Sequence, residues 1–215
     1  MTLKKHIAKS ALDLFFSTGI RRVSMDDISR KASVSKRTLY EFFSDKETLL
    51  MQALEESRIP MTERMSKLEK GDYNALEVML LFNEELMEDP KWICPAFFED
   101  IVRYPKAHEY MLKGKKYFLD KMVQLFKRGV REEVFLPEIN FDIISLMVQE
   151  HLAVVEPSSI YTKYTHEEVH NTVLLIFMRG ICTDAGRGIL DRFVMRKVAM
   201  KQSKIIVGQR ADVIN

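Results

Sequence analysis

Residues 24–50 contain three closely spaced helix-start signals, and this segment constrains the fold more than any other part of the chain. Ser24 is a good N-cap, and acidic residues follow it in a first turn where the helix dipole favours negative charge. Ser35 can cap a second short helix. Ser44 and Glu47 have the spacing of a capping box that opens a third. The spacing therefore predicts two short helices across a tight turn, followed directly by a longer one.

The second short helix has two chemically different faces. Its helical spacing turns Leu39 and Phe43 inward and leaves Lys36, Arg37 and Tyr40 on the outer side. In a helix-turn-helix, the second helix enters the major groove of DNA and the first crosses the backbone. The segment therefore predicts a DNA-binding head.

The charge distribution agrees with such a head. Residues 1–50 contain ten Lys/Arg and six Asp/Glu, a net charge of +4, whereas the rest of the chain holds 23 basic and 25 acidic residues. A basic head on a nearly neutral body is the electrostatic pattern expected of a DNA-binding protein.

Several features of the chain predict a cytoplasmic protein. Its two cysteines are far apart in sequence, which is typical of a reducing compartment. Lys9 and Asp13 interrupt the apolar pattern that a signal peptide needs. The longest uninterrupted apolar run, residues 173–178, is far shorter than the roughly 18 residues that span a membrane.

Beyond residue 50, apolar periodicity and breakers at helix-length intervals predict an all-α protein. A less regular stretch is expected at residues 91–103. The predicted helices cover residues 46–70, 73–87, 107–131, 142–155, 165–179 and 184–198. The predicted architecture is a three-helix head joined to a larger C-terminal helical bundle, with about nine to ten helices in total.

The segment Ile28–Leu50 resembles the head of the tetracycline-repressor (TetR/AcrR) family of bacterial transcriptional regulators. Gly19 fits as the stop of the preceding helix, whose apolar stripe comprises Ile7, Ala11, Leu14 and Phe15. The segment Arg179–Arg187 is similar to the last two helices of many members. The resemblance implies a dimeric repressor that binds a near-palindromic operator in double-stranded DNA and is released by a small, largely apolar effector. It implies three regions: a DNA-binding domain at 1–47, an effector-binding and dimerisation domain at 48–202, and a frayed tail at 203–215.

Two residues depart from the family pattern. Ser33 occupies a turn position that is usually glycine, and a positive φ there would cost about 1 kcal/mol of strain. Phe42 replaces a His or Tyr that reaches a phosphate, so that role is not carried over to Phe42.

The resemblance and the helix-turn-helix geometry together predict the residues that contact DNA. Lys36, Arg37 and Thr38 can reach base edges, whereas Tyr40 and Lys46 resemble family residues that meet the phosphate backbone. The full predicted set is Ser24, Ser35, Lys36, Arg37, Thr38, Tyr40 and Lys46.

A dimer is expected because one head covers only a few base pairs, and two heads spaced by roughly 34–36 Å cover successive half-sites. The resemblance places the dimer contact on helices 142–155 and 165–179. The alternative is that this face packs inside the chain. The residues available for that contact are Ile144, Met147, Val148, Leu152, Leu174, Phe177, Met178 and Ile181.

An effector pocket is predicted in the middle of the chain, where aromatic and methionine residues recur. Tyr117 and His151 could supply polar groups. The alternative is that the whole set belongs to the core. The predicted lining is Trp92, Phe97, Phe98, Tyr104, Tyr117, Met122, Met147 and His151.

Residues 166–170 satisfy the H-E-x-x-H pattern of zinc hydrolases. A capping box of Thr165 and Glu168 explains the same letters as a helix start, and the nearest third ligands, Asp184 and Asp191, fit a helical surface. We therefore predict no metal, no cofactor and no enzymatic activity.

Two other functions remain open as alternatives. One is a DNA-binding architectural or partner-recruiting protein without an effector. The other is a zinc-dependent hydrolase that uses His166-Glu167-x-x-His170.

Overall fold

A computed structural model of the chain describes residues 1–88, 93–153 and 163–212, and these ranges contain ten helices. Trp92 lies outside them, and so do the side chains of Val148, His151, Leu152 and His166. The helices are α1 (Leu3–Thr18), α2 (Met25–Lys31), α3 (Lys36–Phe42), α4 (Lys46–Glu69), α5 (Ala75–Glu88), α6 (Pro95–Ile101), α7 (Pro105–Arg131), α8 (Phe141–Ala153), α9 (His166–Ile181) and α10 (Asp184–Asp212). The predicted all-α fold is confirmed.

The predicted start of the helix-turn-helix is also confirmed. The Ser24 hydroxyl accepts a hydrogen bond from the Asp27 amide (3.1 Å), and the Asp27 carboxylate accepts one from the Ser24 amide (2.8 Å). This is a capping box, which satisfies two backbone donors that the first turn of α2 leaves unpaired. Ser35 caps α3 in turn, accepting from the Thr38 amide at 3.0 Å.

The start of α4 differs from the prediction, and the predicted capping box of Ser44 and Glu47 is wrong. Asp45 is the N-cap, and its Oδ1 accepts a hydrogen bond from the Thr48 amide at 2.8 Å. A carboxylate one residue later is the stronger acceptor, because its charge complements the helix dipole. The Ser44 hydroxyl donates to Asp45 (2.7 Å), and Glu47 accepts from the Lys106 amide (3.3 Å).

Most other helix bounds lie close to those predicted. Pro95 begins α6 instead of interrupting a longer segment, which suits a residue that lacks an amide donor. The last helix, α10, continues to Asp212, past the predicted start of a frayed tail. Residues 201–212 contain several good helix formers and no proline, which favours that continuation. Within the described ranges, no helix combines the length and the apolarity that a membrane crossing requires.

Two hydrophobic clusters share α4. The head cluster combines residues of α1–α3 with the first half of α4, including Leu50 and Leu54, and with α6. The body cluster contains Met65 and Leu68 from the second half of α4, together with α5, α7 and the last helices. The predicted domain boundary at residues 47–48 therefore falls inside the packing of the head cluster, and the division into domains stays a prediction.

Polar contacts attach α4 to α7. The Arg58 guanidinium lies over the rings of Tyr110 and Tyr117, 5.1 and 5.7 Å from their centroids. One end of α4 adds an ion pair between Glu69 and the Lys121 ammonium at 2.9 Å. These contacts attach the long helix to the body at two separate points.

The turn after α7 packs against the junction of α9 and α10. The Leu136 amide donates to the Ile181 carbonyl (2.9 Å), and the Thr183 amide donates to the Val134 carbonyl (3.1 Å). Gly186 lies against this turn, and a Cβ atom at Gly186 would be 2.2 Å from the Val134 oxygen. A side chain therefore cannot be accommodated there without moving backbone.

We expect Gly186→Ala to lower the free energy of unfolding by about 1–3 kcal/mol, because the added methyl group displaces the Val134 carbonyl. Gly180→Ala is the control, since a Cβ there meets nothing within 4 Å. It should leave stability unchanged or raise it by up to about 1 kcal/mol. Urea unfolding measures both variants, and equal changes would show that the contact at Gly186 is not tight.

Candidate nucleic-acid interface

The helix α3 presents its polar face to solvent because its apolar face is fixed in the head cluster. Leu39 and Phe43 are buried to within 1% of full burial. Lys36, Arg37 and Tyr40 are exposed on the other side. The predicted orientation of this helix is confirmed.

Both cations of α3 form ion pairs within the head. The Lys36 ammonium lies 2.7 Å from Asp26 Oδ1, and the Arg37 Nε lies 3.2 Å from Glu41 Oε1. The hydrogen bond that the Lys36 ammonium donates to Asp26 raises the pKa of Lys36 above its ordinary value. The Arg37–Glu41 pair follows an i, i+4 spacing that is visible in the sequence. The Lys36–Asp26 pair joins α3 to α2, so only the tertiary structure reveals it.

The predicted hydroxyl contacts already have partners within the chain. Ser35 shares a hydrogen bond with the Thr38 hydroxyl at 2.8 Å, in addition to its cap. The Ser24 hydroxyl donates to the Asp27 carboxylate at 2.6 Å. To donate to a phosphate, Ser24 must give up or share its hydrogen bond to Asp27. Ser35 can donate its own proton when the Thr38 hydroxyl is the donor of their shared hydrogen bond.

Lys46, the first residue of α4, is half-buried, with its ammonium 5.9 Å from the centroid of the Phe15 ring. Burial lowers the pKa of Lys46, while the charges of Asp100 and Asp27 oppose that shift. The Lys46 side chain therefore extends across the head so that its ammonium lies over an aromatic ring.

The turn between α2 and α3 adopts the conformation considered for Ser33. Its φ is 54°, a positive value that is usually taken by glycine, and its amide donates to the Arg30 carbonyl at 3.1 Å. Phe42, the other departure from the family pattern, is 40% exposed on the last turn of α3.

The helix α6 supports the loop that precedes α2, and the sequence did not reveal this contact. Asp100 is 7% exposed, and its Oδ2 accepts a hydrogen bond from the Arg21 amide at 2.7 Å. The Cys94 amide donates to the Phe16 carbonyl at 2.7 Å. These residues are about 80 positions apart, so no local pattern could have paired them.

Those predicted effector-pocket residues that the structure describes do not gather around one space. Phe97 is buried in the head cluster, with its ring centroid 5.0 Å from that of Phe16, and Tyr104 packs on the same cluster. Met122 instead packs on the body cluster. Periodicity on one helix does not reveal which neighbour it meets, and α6 turns toward the head.

The other predicted pocket residues are exposed or lie outside the residues that the structure describes. Phe98, Tyr117 and Met147 are 37%, 41% and 49% exposed. An open cleft of about 580 Å³ lies between the end of α7 and residues 137–142, and a second of about 350 Å³ lies beside Glu69 and Arg128. Neither cleft is lined by a predicted pocket residue.

The predicted dimer residues divide between the interior and the surface. Met178 and Ile181 are buried in the body cluster, and Ile144 and Leu174 pack partly against it. That is the internal packing kept as the alternative. Phe177 is half-buried.

Among the described side chains of the last two helices, the two most exposed large apolar ones were not predicted. Ile176 on α9 is 66% exposed, and Met195 on α10 is 70% exposed. The apolar periodicity of the sequence favours the neighbouring positions, which face inward.

The H-E-x-x-H segment begins a helix, as the capping box of Thr165 and Glu168 predicts. The Glu168 amide donates to the Thr165 hydroxyl (3.2 Å), and the Thr165 amide donates to the Glu168 carboxylate (2.8 Å). His170 Nε2 lies 2.7 Å from the Asn83 side-chain oxygen. The described residues hold no cluster of three or more potential metal ligands.

Asp27 should make stability sensitive to acid. Hydrogen bonds from Ser24, and then from Arg30, lower the pKa of Asp27 from 3.8 to about 2. A lowered carboxyl pKa contributes stability above pH 3.8 that is lost as the pH falls through 2. We expect wild type to lose more unfolding free energy than Asp27→Asn over this interval, as measured by urea unfolding at each pH. Parallel pH profiles would contradict this role.

The amino-terminal part of the chain is similar in sequence to known proteins. Residues 7–53 match the model of the tetR family of bacterial regulatory proteins. A 48-residue segment, 22% of this chain, is 38% identical to a protein named as the mycofactocin biosynthesis transcriptional regulator MftR of Mycobacterium tuberculosis H37Rv. The match spans about a quarter (24%) of that relative's length.

Solved structures share the fold over most of the chain. The ketosteroid transcriptional regulator KstR2 of Mycobacterium tuberculosis superposes with a TM-score of 0.66 at 18% identity, covering 85% of this chain and 96% of that one. A gamma-butyrolactone receptor (ArpA-like protein) gives 0.64 at 16% identity, covering 90% and 94%.

Together, the head geometry and the shared fold define an all-α protein of the helix-turn-helix class. Its amino-terminal residues 7–53 are similar to the DNA-binding region of the tetR family of bacterial regulatory proteins.

Proposed function

We propose that the protein is a dimeric, sequence-specific transcriptional repressor that binds a near-palindromic operator and is released by a small, largely apolar effector. The observation that carries this proposal is the exposed polar face of α3, held outward by the buried Leu39 and Phe43. An exposed polar helix on a packed three-helix head is suited to the major groove of DNA.

Each exposed residue of α3 has a distinct proposed role. The Arg37 side chain is 90% exposed, so its guanidinium can turn to the O6 and N7 atoms of guanine. Lys36 can make the same kind of contact, and the Thr38 methyl group can meet thymine. Tyr40 donates its hydroxyl to a phosphate. Lys46 and the neighbouring amides of α4 contact the backbone of the adjacent strand.

Two substitutions separate base contacts from phosphate contacts. We expect Arg37→Ala to cost about 1–3 kcal/mol of operator affinity and to relax specificity at one base pair. Tyr40→Phe removes only a hydroxyl, so it should weaken binding to operator and scrambled duplexes by the same factor. Fluorescence anisotropy across a salt series measures both, using a duplex enriched by the wild-type protein from a random-sequence pool.

Arg64→Ala is the matched control for that series. Arg64 lies on the body half of α4, where its Nε is 3.7 Å from Glu85, so its loss changes the net charge without touching α3. It should leave the operator affinity within about twofold of wild type. A wild-type protein that binds operator and scrambled duplexes equally would contradict the proposed sequence-specific function.

The proposed dimer face lies on α9 and α10, where Ile176 and Met195 are exposed. An ion pair between Arg179 and Asp191 joins these two helices, so the two apolar side chains belong to one connected surface. Exposed apolar side chains of this size are the expected core of a contact between two copies. This proposal moves the contact from the pair α8 and α9 to the pair α9 and α10.

We expect Ile176→Glu to weaken the dimer, because the dimer would bury a charge against its own copy. Light scattering should give wild type a mass near twice 25.2 kDa and the variant a mass closer to 25.2 kDa. Leu112→Glu is the control, since Leu112 is 49% exposed on α7. A monomeric wild type, or equal dissociation of both variants, would contradict this face.

The proposed effector is apolar with a small number of polar groups. Partly buried Phe118 and Met122 pack against the body cluster, and the hydrogen-bonded pair of His170 and Asn83 supplies polar atoms in the same domain. Two structural relatives are named for ketosteroids and for gamma-butyrolactone. Both compound classes are therefore the first to test for release of the operator in the anisotropy assay. An operator complex that neither these nor other apolar compounds release would favour a DNA-binding protein without an effector.

A further inference from the structure

The surface that α3 offers to DNA is nearly neutral, although the head as a whole is basic. Lys36 pairs with Asp26 at 2.7 Å, and the two side chains are 59% and 57% exposed. Arg37 pairs with Glu41 at 3.2 Å, with exposures of 90% and 59%. Each cation of α3 therefore has a carboxylate in direct contact.

Such exposed ion pairs add little to folding stability. Solvent screens the attraction, and ordering two long side chains opposes it. The pairs are weak enough to open when a better partner arrives. Because these pairs lie at the helix that is proposed to face DNA, they also influence how strongly the protein binds different DNA sequences.

Operator and non-operator DNA offer these cations different hydrogen-bond acceptors. Binding to arbitrary DNA depends on contacts between cations and phosphates, with release of counterions. At an operator, Lys36 and Arg37 instead turn toward base edges, where several aligned acceptors replace the carboxylates. A carboxylate beside each cation therefore competes for that cation mainly with the phosphates of non-operator DNA.

We propose that Asp26 and Glu41 are specificity-determining residues: by pairing with Lys36 and Arg37, they weaken binding to non-operator DNA more than binding to the operator. This inference rests on the proposed function as a sequence-specific DNA-binding protein. In this proposal, carboxylates that contact no base discriminate between operator and non-operator DNA. They do so by weakening the binding of the wrong partner.

The test compares wild type with Asp26→Asn, Glu41→Gln and the double variant. Each binds the duplex that wild type enriches from a random pool, and a scrambled duplex of equal composition, over a salt series. Each substitution should strengthen binding to the scrambled duplex by about two- to fivefold, the range of one exposed ion pair. It should also steepen the salt dependence of that binding by about 0.9 in the log–log slope. Operator affinity should change by less than about twofold.

Glu55→Gln is the charge-matched control. Glu55 is exposed on the head half of α4, and its carboxylate accepts from the Gln52 side chain rather than from a cation of α3. It should change neither duplex beyond about twofold. Urea unfolding of every variant establishes that the head remains folded.

Three results would overturn the inference. An equal gain with Glu55→Gln would mean that net charge alone sets the affinity for scrambled DNA. A loss of operator affinity with no gain for the scrambled duplex would mean that Asp26 or Glu41 contacts a base directly. If wild type prefers no duplex in the pool, the proposed function fails first and this inference fails with it, a result distinct from the other two.

Discussion

The packing of α4 into two hydrophobic clusters is the constraint on which the rest of the structure depends. One helix of 24 residues places Leu50 in the head cluster and Leu68 in the body cluster. Both clusters exclude water from large apolar side chains, so neither end of the helix can shift without exposing them. The head therefore takes its orientation from the body through a continuous helix.

Two further contacts make this connection stiffer than one helix alone. Arg58 stacks over Tyr110 and Tyr117, which fixes the middle of α4 against α7. On the other side of the head, Asp100 of α6 accepts the Arg21 amide, immediately before the helix-turn-helix. A movement of α7 would therefore reach the head through α4, and a movement of α6 would reach it through the loop that contains Arg21. This arrangement suits coupling between a body site and the head, where about 1–3 kcal/mol is sufficient for regulation.

The net charge of the head as a whole differs from the charge at the surface of α3. Counted over residues 1–50, the head is basic, and this favours approach to a polyanion. At the surface of α3, Asp26 of the neighbouring α2 and Glu41 balance Lys36 and Arg37. The net positive charge of residues 1–50 therefore comes from residues outside these two ion pairs.

The sequence by itself determined the all-α fold, the caps at Ser24 and Ser35, and the outward face of α3. These features depend on local spacing and on hydrogen bonds within three or four residues, so they are readable from a short segment. The family match over residues 7–53 covers this same part. Even here, a carboxylate at Asp45 took the cap expected at Ser44, because neighbouring acceptors compete for the same amides.

Only the tertiary structure decided which helix faces meet. It placed Phe97 in the head cluster and not in a body pocket, and it buried Met178 and Ile181 while leaving Ile176 exposed. It also brought Asp26 to Lys36 from another helix. An apolar stripe indicates that a helix face is buried, but it does not indicate which helix covers that face. The reason is that burial depends on apolar area and not on the identity of the neighbour.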